Sequence, residues 1–273
     1  MDRRLTPANG RVAAMSLAGK VEAERFTQGT PARIAVPVAD LCATPGKGRD
    51  RQLIWGETIT VFEERDGFAF VQADKDGYVG YLRASDIADP RPATHRVSTP
   101  ATHLYETESF KSADLAHLSF GARVTVTAER QKMWETPDGY IPKKHLRPLD
   151  RSFTDPATVA QLFFGVPYLW GGNSILGIDC SGLVQAALTA CDIPCPGDSD
   201  LQRTALGQEL SPDAPRQRGD LYWWKGHIGM LVDADTLLHA NAHHMAVAYE
   251  PIDAAILRIK AQGDGEVISR KRL

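Results

Sequence analysis

The stretch from Tyr168 to Gln185 constrains this chain more than any other, because its character changes at a single residue. Upstream, Tyr168-Leu169-Trp170-Gly171-Gly172-Asn173-Ser174-Ile175-Leu176-Gly177-Ile178 carries glycines at spacings that suit neither a helix nor a continuous strand. Downstream of Asp179, the residues Leu183, Val184, Ala187, Leu188 and Cys191 recur at helical spacing and make one apolar stripe. Asp179 is then the N-cap, and Cys180 falls in the first turn. Unpaired amides and the positive dipole end of a helix start favour an anion, so this placement predicts a thiol with a lowered pKa. Cys180 precedes Leu183 and Val184 by three and four residues, shares their face, and should turn its sulfur toward whatever sheet the helix covers. A cysteine at a helix start is more often a small buried residue than a nucleophile. A base within reach separates the two.

Two histidines supply that base. Arg218 to Trp224, His227 to Val232, Thr236 to Ala240 and Ala246 to Glu250 read as strands, with Ile256 to Ile259 as a further one. If Asp233-Ala234-Asp235 is a hairpin loop, Val232 faces Thr236, His227 lies opposite Asn241, and Gly229 lies opposite His239. His227 and His239 then point to one face as diagonal neighbours, about 7–8 Å apart and within reach of imidazole rings. A helix-start thiol, an imidazole to take its proton and a third group to orient that imidazole are the parts of a thiol protease. Cys180 is thus the candidate nucleophile, His227 the base and His239 the orienting residue, with Gly226 and Gly229 leaving room for substrate. The other histidines, at 95, 103, 117, 145, 243 and 244, read as structural. His243 and His244 with His239 lack a carboxylate or cysteine at a familiar ligand spacing, so neither metal nor cofactor is expected.

The remainder of the chain divides by pattern. Residues 1–30 show no clear period and read as an arm packed on a later domain. From 31 to 91, short alternating runs (Ile34 to Val36, Thr58 to Phe62, Phe68 to Val71, Tyr78 to Tyr81) are separated by Pro45-Gly46, Asp66-Gly67 and Asp76-Gly77, the signature of a small β-barrel. The pattern returns over 92–150: Leu53 to Val61 aligns with Leu118 to Val126, and Asp76-Gly77-Tyr78-Val79 with Asp138-Gly139-Tyr140-Ile141. An internal repeat of about 60 residues predicts two related barrels. Only the first copy carries a polar set, with Glu57 where the second has Ala122. Residues 151–273 turn helical around Val159, Leu162 and Phe163, and again near Ser199 to Thr204.

Bulk properties narrow the function. A net charge of −3 gives no basic face for nucleic acid or an anionic membrane. The closing Ser269-Arg270-Lys271-Arg272-Leu273 reads as a solvated tail. No apolar run reaches membrane-spanning length, and Val12 to Ala18 is too short for a secretory signal, so the expected location is cytoplasmic. Cysteines 42, 180, 191 and 195 read as free thiols in a reducing compartment.

With Cys180, His227 and His239 in that order, the final domain resembles the NlpC family of papain-like cysteine peptidases, which cleave bacterial cell-wall peptides. The motifs that carry the resemblance are Tyr168-Leu169-Trp170-Gly171-Gly172, Asp179-Cys180-Ser181-Gly182, His227-Ile228-Gly229 and His239-Ala240. It implies an α+β fold in which the Cys-bearing helix packs on an antiparallel sheet, preceded by two small all-β SH3-like barrels. That architecture is similar to the subgroup hydrolysing γ-D-glutamyl-L-diamino acid bonds in freed murein peptides, releasing L-Ala-D-Glu from a free amino terminus. Carried over, Asp179 and Ser199 contact the amine and dipeptide, Tyr168 and Trp170 line the groove, and Ser181 is a further substrate-binding residue. The Cys180 N–H, with the Tyr168 hydroxyl, serves the oxyanion. Glu57 and either Tyr78 or Tyr81 are the candidates from the first barrel, and Trp55 before Gly56-Glu57 departs from the subgroup's usual aromatic. The implied partner is a murein peptide, and a monomer is compatible with everything above. An idle cell-wall or protein binding module and an acyltransferase on the same scaffold are the competing readings.

Overall fold

Two glycine turns of the same shape show how the first half of the chain is built. Gly56 and Gly121 both take a left-handed backbone, φ +75° and +83°, which glycine adopts without the Cβ penalty. Gly56 N–H donates to Ile34 O at 2.9 Å and Gly121 N–H to Val97 O at 2.9 Å, while Glu57 and Ala122 close back on Ile54 and Ser119, each at 3.1 Å. The sequence repeat is therefore a repeat of backbone hydrogen bonding.

The computed structural model describes Met1–Leu273, which falls into two compact units, Met1–Asp150 and Arg151–Leu273. In the first unit a seven-stranded sheet runs in the order Lys47–Ile54, Val38–Thr44, Val79–Arg83, Phe68–Ala73, Thr58–Arg65, Thr30–Ile34, Ile87–Ala88. Its alternate residues Ile34, Leu41, Leu53, Ile59, Val71 and Leu82 fill one core. Residues beyond 94 form a five-stranded and a three-stranded sheet around Val97, Leu118, Ala122 and Ile141. The two β modules interlock. Ile54 belongs to the second core, Trp55 and Val38 pack against it, and a Cβ on Gly56 would sit 2.0 Å from Arg123 O. The arm is ordered: Val12–Ala14 pairs in parallel with Arg25–Thr27, and Val12 and Ala14 pack on Phe62, Phe70 and Val79.

The second unit holds a six-stranded antiparallel sheet, in the order Gln208–Glu209, Ser269–Arg272, Leu221–Trp224, His227–Leu231, Thr236–Asn241, Ala246–Pro251. Its helices are α1 (Pro156–Gln161), α2 (Cys180–Ala190), α3 (Ser199–Ala205) and α4 (Ile252–Ala261), and α2 packs on the strands His227–Leu231 and Thr236–Asn241. Two expectations are corrected here. Ile256 to Ile259 is helical, because Ile252, Ala255, Ile256 and Ile259 face Tyr222, Trp224, Leu231 and Leu237 of the sheet, a spacing that only a helix brings to one side. The basic end of the chain is a strand rather than a solvated tail: Arg272 forks onto the fully buried Asp220 at 2.7 and 2.9 Å, which neutralises a carboxylate that burial alone would penalise. No helix is long and apolar enough to cross a membrane.

Candidate active site

The site starts at the cap of α2. Asp179, with φ −97° and ψ 178°, accepts the Gly182 N–H at 2.6 Å and the Ser181 hydroxyl at 3.0 Å on Oδ1, and the Gly171 N–H at 3.0 Å on Oδ2. One carboxylate thereby fixes both the helix start and the glycine-rich entry loop. Gly182 has to be glycine, since a Cβ there would sit 2.5 Å from Gly172 O. Leu183, Val184, Ala187 and Leu188 are buried as one stripe, and Cys180 is buried with them at 7% exposure. Its Sγ lies 4.0 Å from Gly226 O, so the thiol rests against the backbone of the residue just before His227.

The hairpin register agrees with the one expected from the loop: Met230 pairs with Leu238, Leu231 with Leu237, and the Val232 N–H closes on Thr236 O. His227 Nε2 and His239 Nδ1 are 2.9 Å apart. His239, fully buried, places its Nε2 3.1 Å from Glu250 Oε2, and Arg258 forks onto Glu250 at 2.8 and 2.7 Å. A continuous row of polar groups thus leads from the thiol's neighbour to a guanidinium. Sequence reasoning missed its last two members. Glu250 shares a strand face with Ala248, the residue opposite His239, but the turn before that strand gives no register. Arg258 lies in the segment whose apolar run imitates a strand, and it is helical.

Charge in this site runs against the expected lowered thiol pKa. Burial first, and then the negative Asp179, push Cys180 up to about 12, and the amide N–H groups of the helix start do not offset them. Burial, followed by repulsion from His239, brings His227 down to about 3. The pair is therefore neutral in the free protein. Tyr168 is half-buried, and burial together with the nearby Cys180 and Asp179 raises its hydroxyl pKa.

A cleft of about 380 Å³ opens beside the base, lined by Tyr168, Lys225, Gly226, His227, Asn241 and His243 among others. Trp170 is 69% exposed, and Ser199 opens α3 with its carbonyl accepting the Trp223 Nε1–H at 3.0 Å. In the first unit, Glu57 Oε1 pairs with Lys75 Nζ at 2.7 Å, and Oε2 accepts the Ile54 N–H at 3.1 Å. Tyr78 is 2% exposed among the residues of its module's core, whereas Tyr81 is half-buried against Phe70.

His239, His244 and Glu250 bring ligand-type atoms within 4.8 Å of one another. They fit a metal poorly, because Glu250 is already held by a guanidinium and His244 Nδ1 lies 3.0 Å from Asn241 Oδ1. All four cysteines are unbridged.

Residues 165–261 match the NlpC/P60 family, and residues 41–87 match the bacterial dipeptidyl-peptidase Sh3 domain. The chain is 25% identical over 215 residues to the gamma-D-glutamyl-L-lysine dipeptidyl-peptidase of Bacillus subtilis (strain 168), covering 69% of this chain and 71% of that one. It is 23% identical over 215 residues to dipeptidyl-peptidase 6 of Lysinibacillus sphaericus, with 70% and 79% covered. Among solved structures, an NlpC/P60 family protein from Bacillus cereus ATCC 10987 superposes with a TM-score of 0.74 at 19% identity, over 89% of this chain and 99% of that one.

Proposed function

Starting from a chain whose residues 165–261 form a domain of the NlpC/P60 family and whose residues 41–87 match a bacterial Sh3 domain, we propose that it is a cysteine peptidase. In this reading it hydrolyses γ-D-glutamyl-L-diamino acid bonds in murein peptides that carry a free N-terminal L-Ala. Cys180 attacks the γ-carbonyl of D-Glu while His227 takes the thiol proton, and the developing oxyanion receives the Cys180 N–H and the Tyr168 hydroxyl. The diamino acid leaves with a proton from His227. Water, activated by the same imidazole, then frees L-Ala-D-Glu from the acyl-enzyme. Because the resting pair is neutral, proton transfer accompanies attack instead of preceding it.

The observation that carries this reading is the contact between His227 and His239 at 2.9 Å, beside a thiol at the start of a helix. The basic Lys225 at the cleft suits a peptide bearing free carboxylates. The finer assignments are part of the proposal: a second SH3-like barrel over residues 92–150; Tyr168, Trp170, Asp179, Ser181 and Ser199 in the groove; Glu57 with Tyr81 at the substrate amine, since Tyr78 lies inside its module's core; and work in the cytoplasm on peptides freed during cell-wall recycling. The relatives named for gamma-D-glutamyl-L-lysine cleavage favour this substrate class.

Incubation with L-Ala-γ-D-Glu-diaminopimelate and its N-acetylated form, followed by mass spectrometry, tests it. The free-amine peptide should yield L-Ala-D-Glu, the acetylated one should not, and Cys180→Ala should abolish turnover with the fold intact. Near-normal turnover by that variant would overturn the assignment of the nucleophile. Added amines that divert the product to amides would instead favour an acyltransferase.

A further inference from the structure

The hydrogen-bond row fixes which ring nitrogens carry hydrogen. Both oxygens of Glu250 accept from Arg258, Oε1 from Nε at 2.8 Å and Oε2 from Nη2 at 2.7 Å, and a carboxylate so paired stays ionised and can only accept. His239 Nε2, 3.1 Å from that same Oε2, must then carry the hydrogen. A neutral imidazole has a single N–H, so Nδ1 of His239 is bare. The 2.9 Å contact between His239 Nδ1 and His227 Nε2 is therefore donated by His227. His227, neutral in its turn, is left with a bare Nδ1, the ring nitrogen that no protein group occupies in this row. Burial holds both histidines below their ordinary pKa, so the neutral forms dominate at pH 7.

The geometry points to Glu250 and Arg258 as positioning residues that set the tautomer of His239 and, through it, that of His227, keeping a hydrogen-free nitrogen available to the Cys180 thiol. Without an acceptor at Glu250, His239 has no reason to prefer Nε2–H. In the opposite tautomer it would donate from Nδ1 to His227 Nε2, and His227 would carry its hydrogen on Nδ1, where it takes no proton. The consequence for rate rests on the peptidase reading; the tautomers do not.

The test is nitrogen-15 NMR of the histidine rings in the full chain at pH 7, run alongside kinetics on L-Ala-γ-D-Glu-diaminopimelate. The wild type should show His227 and His239 as Nε2–H tautomers. Glu250→Gln cannot offer acceptors to Arg258 and His239 on both of its terminal atoms. It should move population to Nδ1–H and cut kcat by about a hundredfold or more, with KM within about twofold. Arg258→Gln retains the carboxylate facing His239 and should preserve both tautomers, with kcat reduced less than about tenfold. Nδ1–H at either histidine of the wild type would overturn the inference. So would a folded Glu250→Gln with unchanged tautomers and kcat. Should Glu250→Gln fail to fold, the wild-type spectra and Arg258→Gln decide. A wild type that shows Nε2–H tautomers yet leaves the peptide uncut would sink the peptidase reading while supporting this one.

Discussion

Glu57 and Glu250 are both largely buried carboxylates held by a cation, but one closes a structure and the other extends a chain. Glu57 caps a turn: Lys75 occupies one oxygen at 2.7 Å, the Ile54 N–H the other at 3.1 Å, and nothing lies beyond. Glu250 takes the Arg258 fork and still offers Oε2 to His239, whose second nitrogen meets His227. A guanidinium can satisfy a carboxylate in its own plane and leave a lone pair for a third group, whereas a lysine paired with a backbone amide completes a local corner. The contrast predicts that the two sites answer differently to the same perturbation.

His239→Ala should separate them most widely. It removes the only link between Glu250 and His227, and kcat should fall about a thousandfold or more. Glu57→Ala should leave kcat within severalfold, because it touches no group in the row. Steady-state kinetics on the free-amine peptide measure both, and equal losses in kcat would erase the distinction.

The next effect concerns a group with no cation at all. Cys180 has burial and Asp179 against its ionised form, so its thiolate absorbance near 240 nm should develop only well above pH 9, toward 12, compared against Cys180→Ala. A thiolate already present at pH 7 would show that a preformed ion pair with His227 outweighs burial.

What could be read in the sequence follows the range of the interactions involved. The cap at Asp179, the hairpin register and the meeting of His227 with His239 depend on local periods and one loop length, and they were legible. So was the backbone turn that Gly56 and Gly121 share. Glu250 and Arg258 were not, because their roles arise from the pairing of distant segments and from a helix whose Ile256 to Ile259 imitates a strand. The lowered pKa expected for Cys180 failed for a related reason. A helix start favours the anion locally, but the depth of burial belongs to the whole domain.

Acid should act on the second unit through its histidines. His227 drops from an ordinary value of 6.5 to about 3, so between those limits the unfolded chain binds more protons than the folded one, and stability rises with pH across that window. Stability is thus full above pH 6.5 and declines as pH falls toward 3. Glu250, held well below the usual range first by its hydrogen bonds to Arg258, adds a loss of the same sign below its ordinary value of 4.5. Thermal melts at pH 7, 5 and 4 should show a falling Tm, and the decline between 7 and 5 should shrink in His227→Gln. A flat Tm across that interval would show that the imidazoles remain free to protonate in the fold.

The smallest effect lies at the Glu57 corner. The Glu57 and Lys75 side chains retain 12% and 17% exposure, so the pair is partly shielded and its loss should cost about 1 kcal/mol, between a surface and a buried bridge. Glu57→Gln and Lys75→Met should each destabilise by about that much, and the double variant should recover part of the loss, since neither charge is then left alone. Urea denaturation of the four proteins gives the coupling. The same set decides whether the corner takes part in binding. If Glu57 receives the substrate's ammonium group, Lys75 competes with it, so Lys75→Met should lower KM for the free-amine peptide and Glu57→Gln should raise it. If the corner is only structural, KM stays level in both while stability falls, and the amine must be held elsewhere.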